Sequence, residues 1–134
     1  MRRYILDACS MIAVLKHEPG AHIVVDIIQD VEADIAMHKL NLLEVYYDVY
    51  RRHGQETADS VIQEVRRNPI EIISEITDEV FAEAGRLKAA YKISLADSIA
   101  LAEASVLHAS LATSDHHEFD PIEQAESIEF LWIR

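Results

Sequence analysis

Asp7 follows the apolar run Tyr4-Ile5-Leu6 and precedes a segment of helical period, Met11 to Leu15. A buried parallel strand delivers one acidic side chain to its C-terminal end in this way. Three further carboxylates, Glu44, Asp97 and Asp115, stand in comparable positions. Acids brought together repel one another and carry raised pKa values unless a cation holds them. Oxygen-only donors suit Mg²⁺ or Mn²⁺. The expected chemistry is divalent-metal binding by a site of four carboxylates.

Each acid also has a structural explanation. Asp7 can cap the helix that follows it, accepting bonds from free N–H groups. Glu44 lies within a helix, where an acid ordinarily faces water; Asp48 follows it by one turn and Asn41 precedes it on the same polar edge. Asp97 stands three residues after Ser94, the spacing of a capping box. Asp115 leaves a strand, where turns recruit aspartate, and Asp120 has the same explanation within His116-His117-Glu118-Phe119-Asp120-Pro121. Position in the expected fold raises the odds of a site: Asp7 and Asp115 leave the C-terminal ends of strands, where open parallel sheets place their chemistry.

The elements that would position these residues can be read in order. A first strand ending at Leu6 and a short helix ending near Lys16 are followed by a break at His17-Glu18-Pro19-Gly20. Ala21 to Asp30 is amphipathic and helical, and Ala33 to Met37 is a second strand. A helix from Lys39 or Leu40 to His53 carries a stripe at Leu40, Leu43, Tyr47 and Tyr50 and closes at Gly54. The next helix, Glu56 to Arg67, stops before Asn68-Pro69 because the residue preceding proline disfavours helix. Ile70 to Ile73 is a strand, Asp78 to Tyr91 a helix, and Ser94 opens another helix reaching about His108. Leu111 to Thr113 is a fourth strand and Ile128 to Ile133 a fifth, with 116–121 between them expected as loop. Strands alternating with helices predict a three-layer α/β fold with a central, mostly parallel sheet of about five strands.

At 134 residues, half of them hydrophobic, the chain is expected to form a single domain with a core of its own. The lone cysteine, Cys9, leaves no intrachain disulfide and fits a reducing cytosol. Asp7 interrupts the opening apolar run, so the chain is read as untargeted, cytoplasmic and not membrane-spanning. A net charge of -12 repels nucleic acid at long range and favours a basic protein partner. Any RNA contact must use local basic patches, of which Arg51-Arg52-His53, Arg66-Arg67, and Arg86 with Lys88 and Lys92 are the candidates; each is also an ordinary solvated helix face.

Competing chemistries are weaker. Cys9, His38, His116 and His117 lack the paired spacing of a structural zinc site. Cys9 has no adjacent base to make it a nucleophile, and no glycine-rich phosphate loop exists among three glycines. Use of Asp7 as a phosphoryl acceptor lacks the paired acids expected of a receiver domain and the Asp-x-Asp pattern of an aspartyl phosphatase.

Taken in order, Ile5-Leu6-Asp7-Ala8-Cys9-Ser10 with Glu18-Pro19-Gly20, Asn41-Leu42-Leu43-Glu44-Val45, Ser94-Leu95-Ala96-Asp97-Ser98 and Ala112-Thr113-Ser114-Asp115-His116-His117-Glu118-Phe119 resemble the PIN-domain family. Within it they resemble the small VapC-type toxins of toxin-antitoxin pairs, and the resemblance spans essentially the whole chain, 1–134. It implies that Asp7, Glu44, Asp97 and Asp115 form the family's acidic site, with Thr113 as a supporting hydroxyl. Cys9 departs from the serine, threonine or asparagine common at its position, and a thiol is a poorer partner for a carboxylate. The implied activity is Mg²⁺- or Mn²⁺-dependent endoribonuclease cleavage; the alternative is a PIN-like module that binds protein or RNA with little catalysis. The implied partners are a cognate antitoxin, an RNA substrate and a second copy in a homodimer.

Overall fold

The computed structural model describes residues 2–134. The elements are β1 (Arg2–Leu6), α1 (Ala8–Leu15), α2 (Ala21–Gln29), β2 (Ala33–His38), α3 (Lys39–His53), α4 (Gln55–Arg66), β3 (Glu71–Ile73), α5 (Asp78–Ala90), α6 (Leu95–Val106), β4 (Ser110–Thr113), α7 (His116–Ala125) and β5 (Phe130–Trp132). The five strands form one sheet in the order β3-β2-β1-β4-β5. Every pairing is parallel, with Ile5 opposite Ala36 on one side and Leu111 on the other.

That order makes β1 central and sends the chain outward in opposite directions from it, toward β3 and toward β5. The reversal falls between β1 and β4, and it leaves a crevice at their C-terminal ends. Asp7 and Asp115 follow those two strands directly.

Period-two alternation sorts side chains to the two faces. Ile5 joins one apolar cluster with Val80, Leu87, Leu101, Phe119 and Ile122, beneath α5, α6 and α7. Leu6, the next residue, joins the other with Met11, Val24, Leu42, Val45 and Val65, beneath α1 to α4. Each such side chain removed from water contributes about 1.5–3 kcal/mol, so a one-residue register slip in β1 is strongly disfavoured. Gly20 serves the α1–α2 turn, with φ of +93°, and a Cβ there would lie 2.2 Å from the Ile133 carbonyl oxygen. Its lack of a side chain lets the C-terminal strand region close against the turn.

Expected and observed elements agree in kind and order, with the largest difference near the C-terminus. Residues 116–121, expected as loop, form the first part of α7. Asp115 starts that helix by accepting from the Glu118 N–H at 3.1 Å, and burial of Phe119 and Ile122 holds it to the sheet. These interactions outweigh Pro121, whose missing N–H cannot bond the His117 carbonyl. The last strand is shorter than expected, and β1 begins earlier, at Arg2.

Candidate functional site

Asp7 is both a helix cap and a buried acid. Its carboxylate accepts from the Ser10 N–H at 2.9 Å at the start of α1, and it is only 2% exposed. Burial pushes its carboxyl up to about 6, against hydrogen bonds from Thr113 and Ser10 that favour the charged form, with Asp115 adding repulsion. The Ser10 hydroxyl donates to the Ala112 carbonyl, tying α1 to the end of β4. Thr113, fully buried, also accepts from the Asp115 N–H at 3.1 Å, so one hydroxyl organises the loops after both central strands.

Asp97 occupies the first turn of α6, where its N–H bonds the Ser94 hydroxyl at 3.0 Å. Burial pushes its carboxyl up to about 7, and the charges of Asp7, Glu44 and Asp115 push in the same direction. Glu44 projects from the middle of α3 half-buried, and burial raises its pKa. Cys9 lies among the same acids. Its thiol is pushed up to about 12 by burial and then by the charges of Asp7, Asp115, Asp97 and Glu44, all four of which reach it. Four acids from four separate segments therefore share one electrostatic neighbourhood at the C-terminal edge of the sheet.

Whether these residues fit a divalent cation can be tested on donors alone. The set contains only oxygen ligands in excess of the hydrogen-bond donors around them. Asn41, buried one turn before Glu44, gives its amide N–H to the Ala96 carbonyl at 3.5 Å, while its Oδ1 is buried without a donor. An electron-rich, donor-poor pocket with raised carboxyl pKa values fits Mg²⁺ or Mn²⁺. Among the described residues no three His, Cys, Asp or Glu side chains are gathered tightly enough to hold an ion as they stand. The acids are neighbours in charge without forming a closed ligand cage.

The other named residues fall outside this set. Asp48 is spent on Lys16, Arg51 and Arg52 at 3.4, 3.3 and 3.0 Å; burial raises its pKa, but Arg52 and Lys16 outweigh that and hold it down. His38 caps α3, accepting from the Leu40 N–H at 3.0 Å, and its other ring nitrogen meets the Glu75 carbonyl. His116, expected in a loop near the acids, begins α7: it stacks on Trp132 at 3.8 Å and bridges Asp120 and the Arg134 carbonyl, each at 2.8 Å. Among the described residues these histidines join no group of three or more side chains able to hold a metal ion. Cys9 is a neutral thiol beside the acids, and the bonds to Asp7 come from Ser10 and Thr113 instead. Sequence reasoning missed Ser10; its helical spacing from Asp7 was the available signal, since a first-turn N–H three residues after an aspartate is its natural donor.

The sequence model of the PIN domain matches residues 4–123. No curated protein sequence matches the chain. Among solved structures, VapBC-1 from nontypeable Haemophilus influenzae matches with a TM-score of 0.77 at 18% identity, covering 98% of each chain. A DNA-bound VapBC from Salmonella typhimurium matches with a TM-score of 0.77 at 14% identity over the whole of both chains. The sarcin-ricin-loop-cleaving toxin VapC20 of Mycobacterium tuberculosis matches with a TM-score of 0.62 at 13% identity, covering 82% of this chain and 86% of that one. At these identities the likeness is one of fold.

Proposed function

Since the chain belongs to the PIN domain family, we propose that it is a divalent-metal-dependent endoribonuclease, the toxin of a toxin-antitoxin pair, acting as one domain over residues 1–134. The observation that carries the reading is the grouping of Asp7, Glu44, Asp97 and Asp115: burial raises the pKa of Asp7 and Asp97, neighbouring acids push the same way, and the charges of all four reach Cys9. One structural neighbour described as a toxin-antitoxin complex, one described as a member of a family of toxin-antitoxin systems, and one described as cleaving the sarcin-ricin loop support the same class.

In this reading Asp7, Asp97 and Asp115 hold Mg²⁺ or Mn²⁺, and Glu44 is a fourth ligand or the base that orients the attacking water. The bound cation would activate water, engage a phosphate oxygen and stabilise charge on the leaving oxygen. Ser10 and Thr113 fix the Asp7 carboxylate, while the Ser94 hydroxyl steadies Asp97. Their hydrogen bonds favour the ionised acids needed for ligation. Cation binding also offsets the repulsion that a chain of net charge -12 exerts on RNA. The partners are a cognate antitoxin with a basic segment and a second copy of the chain, and the setting is cytoplasmic.

The test is cleavage of a mixed RNA pool by wild type in Mn²⁺, Mg²⁺ or chelator. Metal-dependent fragments are expected. RNA or protein binding with no cleavage in either metal would instead favour the non-catalytic binding module.

A further inference from the structure

The helix that carries Glu44 continues past the acids with an exposed aromatic and cationic face. Positions 44, 47 and 51 lie on one side of α3, since residues three and four apart stack along a helix. Tyr47 is 62% exposed, and the Arg51 guanidinium lies 5.9 Å from the centre of its ring. Lys16, Arg51 and Arg52 surround the single carboxylate of Asp48, leaving a local excess of positive charge on an acidic protein.

Several other basic groups are held by acids or carbonyls. Arg86 is held between Glu83 and Glu126 at 2.7 and 2.8 Å, a pair of acids for one cation. Lys88 donates to the Ile93 carbonyl, Arg67 pairs with Glu64, and Arg134 faces Glu18. Arg51 thus sets a cation beside an exposed ring on the side of α3 that carries Glu44.

We propose that this face is a substrate subsite, in which Tyr47 stacks an unpaired base of single-stranded RNA and Arg51 meets the adjoining phosphate. The inference rests on the nuclease reading and adds the two side chains of α3 that hold the strand beside the acids. At 1.5 Å of rise per residue, Tyr47 is about 4.5 Å and Arg51 about 10 Å along the axis from Glu44, so the subsite adjoins the cleavage position. A flat ring beside a planar guanidinium matches the alternation of base and phosphate in a single strand.

The test measures binding of a labelled, mixed single-stranded RNA by fluorescence anisotropy, with Asp97→Asn as background so that RNA is not consumed. Adding Tyr47→Ala should weaken binding about tenfold, whereas Tyr47→Phe should retain it, because stacking needs the ring and not the hydroxyl. Arg51→Gln should weaken binding and flatten the plot of log affinity against log salt by about 0.7, the share of one phosphate on a single strand. Cleavage by the wild-type active site, with and without Tyr47→Ala, runs in parallel. Unchanged binding and cleavage in Tyr47→Ala would overturn the subsite and leave the nuclease standing. Failure of the unsubstituted chain to bind or cleave RNA would overturn both. Unchanged RNA affinity with a smaller assembly by light scattering would assign this face to protein contact and also overturn the subsite.

Discussion

Asparagine in place of Asp7 preserves the ability to cap α1 and removes the buried charge, so it separates the two roles of this residue. As a cap, Asn is about equivalent to Asp, and the Ser10 N–H would keep its acceptor. As a buried acid, Asp7 is costly when ionised. A carboxyl moved from 3.8 to about 6 corresponds to roughly 3 kcal/mol at alkaline pH. That figure is already net of the bonds from Thr113 and Ser10; an Asn amide offers one acceptor oxygen where the carboxylate offers two, which leaves a gain of about 1–2 kcal/mol. The sign follows from proton binding: between pH 4 and 6 the folded state holds a proton that the unfolded state has released. The metal-free protein therefore loses this share of stability as pH rises through about 6. In chelator at pH 8, Asp7→Asn should melt about 3–8 °C above wild type, and at pH 4 the two should nearly coincide. Thermal denaturation followed by circular dichroism measures both. Equal melting at pH 8, or a less stable variant, would refute the argument that Asp7 bears a functional charge at a structural cost.

Three further outcomes follow from the same geometry. Mn²⁺ or Mg²⁺ should raise the melting temperature by binding only the folded state, and more at pH 8 than at pH 6, because protons on Asp97 near 7 and Asp7 near 6 compete with the ion; calorimetry at the two pH values checks it. Ser10→Ala should cost about 1–2 kcal/mol in urea denaturation, since it removes the hydroxyl bonded to Ala112 but keeps the capping N–H. Gly20→Ala should destabilise by more than about 2 kcal/mol, combining a left-handed backbone with a Cβ 2.2 Å from the Ile133 carbonyl, and its urea midpoint should fall accordingly.

The parts of the fold visible in the sequence are those set by local pattern. The run into Asp7 marks β1, Ser94 with Asp97 marks the start of α6, and Asn68-Pro69 marks the end of α4, each through interactions within a few residues. The start of α7 was hidden by Pro121 and two histidines, which resemble a turn until Phe119 and Ile122 are seen to bury against the sheet. The separate fates of Glu44 and Asp48 were only partly visible in local pattern. Both look like neighbouring acids on one helix; Arg51 and Arg52, three and four residues on, were a local sign that Asp48 is paired, but the approach of Lys16 from the end of α1 was not. Ser10 was overlooked for the same reason, because its hydroxyl partner lies 102 residues away.

The claim that four separated carboxylates act as one site is tested most directly by titrating Mn²⁺ into wild type and into Asp7→Asn, Glu44→Gln, Asp97→Asn and Asp115→Asn, using calorimetry at pH 8 without RNA. The account predicts saturable binding by wild type and at least a tenfold loss of affinity in each variant, with every protein still folded. No binding by wild type at millimolar Mn²⁺, or affinity unchanged across all four variants, would contradict it.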